Sequence, residues 1–356
     1  MRSPQRTRLA LLFGGISEEH AVSLRSASAV LRALDQNRWD VRLVGITSEG
    51  RFLNEEDSAA LLEGRDFKGP GGFPALPEGT ECVFPVLHGP GGEDGSLQGW
   101  LELCGVPFVG SGTLGSALAM DKSVAKRVLR DAGIEVVSWT ELRHRDYLAD
   151  KEIVLSHLIE DRGLPCFVKP ACQGSSVGIS RVETEDELRA GLDHAFTFGE
   201  WVLVEPALNA KELEIAVLGG AEPFATVPGE VQPESWYDFS SKYENDSAEL
   251  VVPAEGIQPQ MTVGMQEIAL RAFDVLRLSG MARIDFFIGK KTGRLVVNEV
   301  NTIPGFTSIS MYPKLMEHSG IGFTDLCDRL IKEALSEKVT HEVESPSQLQ
   351  AENGTA

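Results

Sequence analysis

Residues 282–310 restrict what this chain can fold into more than any other stretch. Two runs rich in β-branched and aromatic residues, 282–288 and 294–301, flank Gly289-Lys290-Lys291-Thr292-Gly293, which is turn chemistry, so the pattern predicts a β-hairpin. A hairpin symmetric about Thr292 sets Asp285 opposite Glu299 and Arg283 opposite Asn301. Side chains alternate along a strand, so these four share one face, while Ala282, Ile284, Phe286 and Ile288 form a core face. Two carboxylates, an amide and a guanidinium on one rigid surface suit a divalent cation and a polyphosphate. The same pattern also fits a solvated face with a cross-strand ion pair, and a bulge near the turn would shift the register. The hairpin alone leaves both readings open.

The chain's 356 residues suffice for two or three domains. A net charge of -20 argues against non-specific nucleic-acid binding and against attraction to anionic membranes. A polyphosphate must then be met by local lysines, helix N-termini and cations. Five cysteines, an odd count without a CxxC pair, fit a reducing cytoplasm better than a disulfide framework or a zinc site. The apolar run ending at Phe13 is short for a secretory signal, and none is long enough to span a membrane. The expectation is a cytoplasmic protein with no nucleic-acid or membrane partner.

A strand at 9–13, Gly14-Gly15, a helix from near Ser17 and a strand at 41–46 predict a parallel sheet with crossover helices. A strand at 82–87 runs into His88-Gly-Pro-Gly-Gly-Glu-Asp-Gly, and a helix follows with Leu97, Trp100, Leu101 and Cys104 on one side. Gly110, Gly112 and Gly115 spell GxGxxG, but outside the first βαβ unit and without the acidic residue a dinucleotide site needs. The motif reads as a turn that brings backbone close to a ligand. A helix at 122–132 is expected to turn Val124, Ala125, Val128 and Leu129 inward. A strand at 165–169, a small flexible turn at 173–178, a capping box from Thr184 to Glu187, and strands at 201–205 and 212–218 follow. The polar segment 228–246, with Trp236, Tyr237, Lys242 and Tyr243, reads as a lid loop. After a helix striped by Met265, Ala269, Ala272 and Phe273 come the hairpin and a last helix; past Glu337 the chain is expected to be disordered.

Walker A, GxSxG and HExxH are all missing. What remains are lysines and glycines at element ends. Lys122 opens a helix, and Lys169 ends a strand beside the 174–178 turn, whose N–H groups can cover phosphates. Taken singly, these are a solvated lysine and an ordinary turn. Together with the acidic hairpin they point to nucleotide binding.

Further segments complete a pattern: Phe-Gly-Gly-Ile-Ser-Glu-Glu-His-Ala-Val-Ser at 13–23, the His88 loop, Val-Gly-Ser-Gly at 109–112 and Met-Asp-Lys at 120–122. Val-Lys-Pro at 168–170, Gly-Ser-Ser-Val-Gly at 174–178, Ser-Lys-Tyr at 241–243, Arg-Ile-Asp at 283–285 and Asn-Glu-Val-Asn-Thr-Ile-Pro-Gly-Phe-Thr at 298–307 follow in order. In this order, over roughly residues 8–335, the chain resembles the D-alanine–D-alanine ligase family of the ATP-grasp superfamily. The resemblance implies an α/β chain, α+β within its domains, in a three-domain ATP-grasp architecture. It has a Rossmann-like parallel-sheet domain at 1–121, a lid domain at 122–211, a catalytic domain at 212–337 and a tail at 338–356. It implies ATP-dependent joining of two D-alanines through an acyl phosphate, for peptidoglycan precursors, and a homodimer.

The family's residue roles carry over position by position. Lys122, Lys169, Lys242, Ser175 and Ser176 would contact ATP phosphates; Glu205, Pro206, Ala207 and Leu208 would hold adenine, and Glu212 the ribose. Asp285, Glu299 and Asn301 would hold two Mg²⁺ or Mn²⁺ ions. The first D-alanine would sit by Glu19, His88 and Lys242. Arg283 and the Gly305 N–H would stabilise the oxyanion, and Ser310 with the Met311 N–H would bind the second substrate's carboxylate. Glu19, Ser175 and Tyr243 would form a hydrogen-bonded set that closes the site. A D-alanyl-D-lactate or D-alanyl-D-serine ligase is the near alternative, and the resemblance implies that the Lys242-Tyr243 pair favours an amine nucleophile over D-lactate; a non-catalytic ATP-binding protein of the same fold is the more distant one.

Overall fold

A computed structural model describes the chain over residues 6–232 and 249–343. The first layer comprises β1 (Thr7–Gly14), α1 (His20–Ala33), β2 (Trp39–Ile46), α2 (Glu55–Leu62), β3 (Cys82–Pro85), α3 (Ser96–Leu103) and α4 (Thr113–Met120). Its three strands are parallel in the order β2-β1-β3. β1 is covered on both faces, which is why it reads as one continuous apolar run. At its end Gly14 and Gly15 adopt φ of +92° and +98°, and a Cβ on Gly14 would collide with the Ile46 carbonyl.

The chain continues through α5 (Lys122–Asp131), β4 (Thr140–Arg143), α6 (His144–Ala149), α7 (Lys151–Arg162), β5 (Cys166–Pro170), β6 (Ser180–Val182), α8 (Glu185–Ala195) and β7 (Trp201–Pro206). The four strands form an antiparallel sheet ordered β4-β7-β5-β6, whose core holds Tyr147, Leu155, Val168, Leu188 and Val204. Asp121 caps α5 by accepting from the N–H groups of Ser123 and Val124, both at 3.0 Å. The α5 helix does not pack on this sheet. Ala125, Leu129 and Ile134 join the core under the next one, so packing does not divide the chain at Lys122.

The last unit comprises β8 (Ala210–Leu218), β9 (Phe224–Ala225), β10 (Gly229–Gln232), β11 (Glu249–Val251), α9 (Pro259–Val275), β12 (Met281–Gly289), β13 (Leu295–Asn301), α10 (Met311–His318) and α11 (Phe323–Val343). Its sheet runs β11-β10-β8-β12-β13, with β9 on β8. One face packs on α5 and α9, and the expected α9 stripe is buried through Met265, Ala269, Ala272 and Phe273. The N-terminal sheet and the final helices share a single core: Leu9, Leu11, Phe13 and Phe84 lie in one cluster with Phe306, Tyr312, Leu330 and Ile331.

Three expectations change. The 228–246 segment is not loop throughout, because Gly229–Gln232 is a strand paired with β8 and β11; Lys242 and Tyr243 lie outside the described residues. The α11 helix runs on to Val343, past Glu337 where apolar periodicity ends, and residues 344–356 lie outside the described residues. The GxGxxG turn approaches protein rather than ligand. A Cβ on Gly115 would lie 2.5 Å from the Arg277 carbonyl, and one on Gly280 would lie 2.7 Å from the Gly110 nitrogen. Ser111 and Ser279 exchange hydrogen bonds of 3.2 and 3.3 Å across the same contact. Two backbones meet there without side chains between them, which locks the N-terminal layer to the start of β12.

Candidate active site

The hairpin forms β12 and β13 and pairs Arg283 with Asn301 and Asp285 with Glu299. The bulge also exists. It falls between Asp285 and Phe286, so that Ile288 faces Leu295 and Asn298 is the extra residue. Register is therefore as expected at the charged end and shifted towards the turn. On the other side β12 pairs with β8, placing Glu214 opposite Asp285 and Glu212 opposite Phe287. One sheet face thus carries Glu212, Glu214, Arg283, Asp285, Glu299 and Asn301.

Arg283 grips Asp285 with two hydrogen bonds of 2.7 Å, and its Nε lies 3.0 Å from Glu214. Asn301 donates through Nδ2 to Asp285 at 3.0 Å. Burial, with repulsion from Glu299 and Glu212 against the pull of Arg283, pushes the Asp285 carboxyl up to about 6. Among the described residues no three His, Cys, Asp or Glu side chains converge as a metal-ligand set. The donor set here is two facing carboxylates and an amide, with Glu212 and Glu214 on the same face. Oxygen donors of this kind fit a hard divalent cation.

The central sheet supplies the facing wall. Lys169 on β5 reaches Glu205 on β7 at 2.6 Å and Asn298 at 3.4 Å. Lys126, one helical turn after Lys122 on α5, reaches the other Glu205 oxygen at 2.9 Å. Burial by itself raises a carboxyl, yet the two lysines hold Glu205 down at about 2. The Ala207 N–H donates to Pro165 O at 3.0 Å, so it is not a free donor for a base edge; Leu208 is half exposed. The Lys122 ammonium donates to the Gln173 carbonyl at the base of the lid turn and lies 3.9 Å from Glu299.

The lid turn between β5 and β6 places Ser175 and Ser176 at φ of +49° and +60°, a left-handed pair that L-residues seldom adopt. Ser175 donates to Glu19, which opens α1, so the lid reaches the N-terminal layer. A Cβ on Gly174 would lie 2.6 Å from the Glu19 carboxylate, so only glycine permits this approach. Tyr243, the expected third member of the set, is outside the described residues.

His88 is buried with both ring nitrogens engaged: Nδ1 lies 2.9 Å from Ile303 O and Nε2 lies 2.9 Å from Ser26 Oγ. Burial first, against the pulls of Glu19 and the Ile303 carbonyl, lowers its pKa and favours the neutral ring. Nδ1–H then donates to the carbonyl and Nε2 accepts from the hydroxyl. Arranged so, His88 ties loops together rather than offering a donor to a ligand. Glu93 in the same loop accepts from the N–H groups of Gly89 at 2.6 Å and Ile303 at 2.9 Å. These ties, with Phe306 packed against Phe84 and Tyr312, hold Gly305 between two anchors. Ser310 Oγ lies 3.2 Å from the Thr307 N–H and 2.8 Å from Thr307 Oγ1. Met311 opens α10, so its N–H has no intrahelical acceptor.

Sequence reasoning missed Lys126, Glu214, Glu93 and Asn298. Lys126 had a usable signal, being one helical turn beyond Lys122. Glu214 follows Glu212 by two residues, the strand period that keeps both on one face.

An antiparallel sheet bearing carboxylates, a second antiparallel sheet bearing lysines and a Gly-Ser lid between them define an ATP-grasp enzyme, a class that activates carboxylates with ATP. The D-ala D-ala ligase N-terminus family model matches residues 8–111, and the D-ala D-ala ligase C-terminus model matches residues 128–332. The chain is 45% identical over 341 residues to a D-alanine–D-alanine ligase of Deinococcus radiodurans, covering 94% of this chain and 100% of that one. It is 44% identical over 358 residues to D-alanine–D-alanine ligase A of Chromobacterium violaceum, covering 93% and 95%. The solved D-alanine–D-alanine ligase of Coxiella burnetii superposes with a TM-score of 0.82 at 35% identity, covering 96% and 97%. The D-Ala:D-Ser ligase VanG of Enterococcus faecalis gives 0.79 at 34%, covering 93% and 100%. This chain belongs to the D-alanine–D-alanine ligase family.

Proposed function

We infer that the chain joins two D-alanines to D-alanyl-D-alanine at the expense of ATP, releasing ADP and phosphate, for cell-wall precursor synthesis. The observation that carries this reading is the facing of the Arg283–Asp285–Glu299–Asn301 surface and the Lys122–Lys169 pair, with the Ser175 lid drawn onto Glu19. ATP lies between the two antiparallel sheets, with its triphosphate towards the lysines, Ser175 and Ser176. Adenine lies along 205–208, where Glu205 and the Leu208 backbone are the recognising groups, and Glu212 accepts from the ribose hydroxyls.

Asp285, Glu299 and Asn301 hold two divalent cations, Mg²⁺ or Mn²⁺, which when bound supply charge neutralisation for the moving phosphoryl group. For Asp285 to serve, Arg283 must release at least one of its oxygens, and Glu214 remains to hold the guanidinium. The first D-alanine places its ammonium by Glu19, in a pocket whose loop His88 and Glu93 fix. Its carboxylate takes the γ-phosphoryl group.

Ser310 and the Met311 N–H then hold the carboxylate of the second D-alanine, whose free amine attacks the acyl phosphate. Arg283 and the Gly305 N–H are preorganised donors for the resulting oxyanion. Lid closure keeps water from an intermediate that it would hydrolyse. The enzyme works in the cytoplasm as a homodimer.

Phosphate release from ATP is to be measured with D-alanine, D-serine, D-lactate and L-alanine, with mass analysis of the products. D-alanine alone giving the dipeptide supports the reading. A mixed D-alanyl-D-serine or D-alanyl-D-lactate product moves the second-site assignment, and no phosphate release with any of them removes the activity.

A further inference from the structure

The Glu205 carboxylate is shared between two lysines from different elements, and only one of them faces the nucleotide cleft. Lys169 extends from β5 towards Asn298 on the catalytic sheet, whereas Lys126 comes from α5, which packs in the core under the catalytic sheet, and is 2% exposed. Lys126 has one further polar neighbour, the Val137 carbonyl at 3.4 Å. A buried ammonium is costly unless it is paired, so a lysine here needs a reason. Its partner is the residue that would otherwise claim the charge of Lys169.

We propose that Lys126 is a positioning residue for ATP: it neutralises Glu205 from behind, so that the charge of Lys169 is directed at the triphosphate. The inference rests on the ATP-site reading above. Two lysines meet the one Glu205 carboxylate, so Glu205 does not claim all of the charge of Lys169, which also feels Glu299 on the catalytic sheet. Without Lys126, Glu205 turns its whole charge on Lys169, and a polyphosphate must compete with a buried carboxylate for that lysine. Burial lowers the Lys126 pKa while Glu205 pulls it back up; at Lys169 burial acts the same way, but the pull of Glu205 and Glu299 prevails. Removing one partner of a buried pair strands the other, whereas replacing both is far milder.

The test uses Lys126→Met, Lys126→Arg and the double variant Lys126→Met with Glu205→Gln in the full chain. Binding of a non-hydrolysable ATP analogue and of inorganic tripolyphosphate is measured by titration calorimetry with Mg²⁺. KM for ATP and for D-alanine comes from phosphate release. K126M should weaken analogue and tripolyphosphate binding about tenfold and raise KM for ATP in step. KM for D-alanine should stay within about twofold. K126R should bind as wild type, and the double variant should recover tripolyphosphate binding because the stranded carboxylate is gone. Should K126M fail to fold, K126R and the double variant decide the matter by the same criteria. Wild-type affinity in K126M, or no recovery in the double variant, overturns the role of Lys126. Wild-type protein that binds neither analogue nor tripolyphosphate overturns the ATP site itself.

Discussion

Glu205 on β7 and Asp285 on β12 are both almost fully buried, and their surroundings push them in opposite directions. Glu205 has a lysine on each oxygen and is held ionised at about 2. Asp285 faces Glu299 and Glu214 across its strand neighbours, shares Arg283 with Glu214, and is pushed up to about 6. In the first cluster two of the protein's own lysines meet the carboxylate. In the second, Asp285, Glu214 and Glu299 gather around Arg283 with Lys122 3.9 Å from Glu299, an oxygen-donor surface that suits a hard cation. A buried carboxyl raised by its neighbours at a sheet centre is what a functional site predicts.

The comparison breaks most visibly at Glu299. Its side chain is partly exposed, so Glu299→Gln should leave thermal stability nearly unchanged while lowering turnover at least about 10³-fold, checked by calorimetry and phosphate release. Near-normal turnover would mean that the second cluster does not bind the reacting group.

Arg283→Met strikes both functions of that surface. Turnover should fall about 10²–10³-fold, and removal of the guanidinium should also cost about 3–5 kcal/mol by leaving Asp285 and Glu214 without their cation. Added Mg²⁺ should restore much of the stability and none of the turnover.

Proton linkage gives the two clusters opposite signatures. Between about 4 and 6 the folded chain keeps a proton on Asp285 that the unfolded chain has lost, so this group's contribution to stability falls as pH rises through that window. Glu205 contributes stability that is present above the ordinary carboxyl range and is lost as pH falls towards about 2. A Mg²⁺ ion held by Asp285 would compete with its proton, so apparent Mg²⁺ affinity should weaken below pH about 6, as titration at several pH values would show. A pH-independent Mg²⁺ affinity would separate Asp285 from the metal.

A further signature is expected at Glu93, a partly buried carboxyl whose hydrogen bonds come from the Gly89 and Ile303 N–H groups. Burial and the nearby Glu19 raise it to about 8. Its contribution to stability therefore declines as pH rises from about 4.5 to 8. Glu93→Gln cannot ionise and should flatten that part of the stability-against-pH curve, read from melting temperatures.

Much of this was legible from spacing alone. Alternation along two short strands sufficed to place Arg283, Asp285, Glu299 and Asn301 on one face, because the period of a strand is fixed. The bulge at Asn298 was not legible, since it follows from how the turn and the β8 pairing fit together. Lys126 was hidden because a charged residue within a helical pattern reads as the solvated side; only the Glu205 carboxylate, far along the chain, makes its burial tolerable. GxGxxG misled towards a ligand because glycines permit any close approach, and here the approaching group is the Arg277–Gly280 backbone. His88 looked like a substrate contact for want of its two partners, Ser26 and Ile303, which come from other layers.

The acidic face of β12 and β13 and the lysines of β5 and α5 are proposed to work as one phosphoryl-transfer site for D-alanine. Following ¹⁸O from carboxyl-labelled D-alanine into released phosphate tests it most directly, since an acyl phosphate must hand one carboxyl oxygen to phosphate. The account predicts ¹⁸O-phosphate, D-alanyl-D-alanine and ADP in equal amounts, all absent in Glu299→Gln. Unlabelled phosphate from a D-alanine-dependent reaction, or labelled phosphate from Glu299→Gln at the wild-type rate, would contradict it.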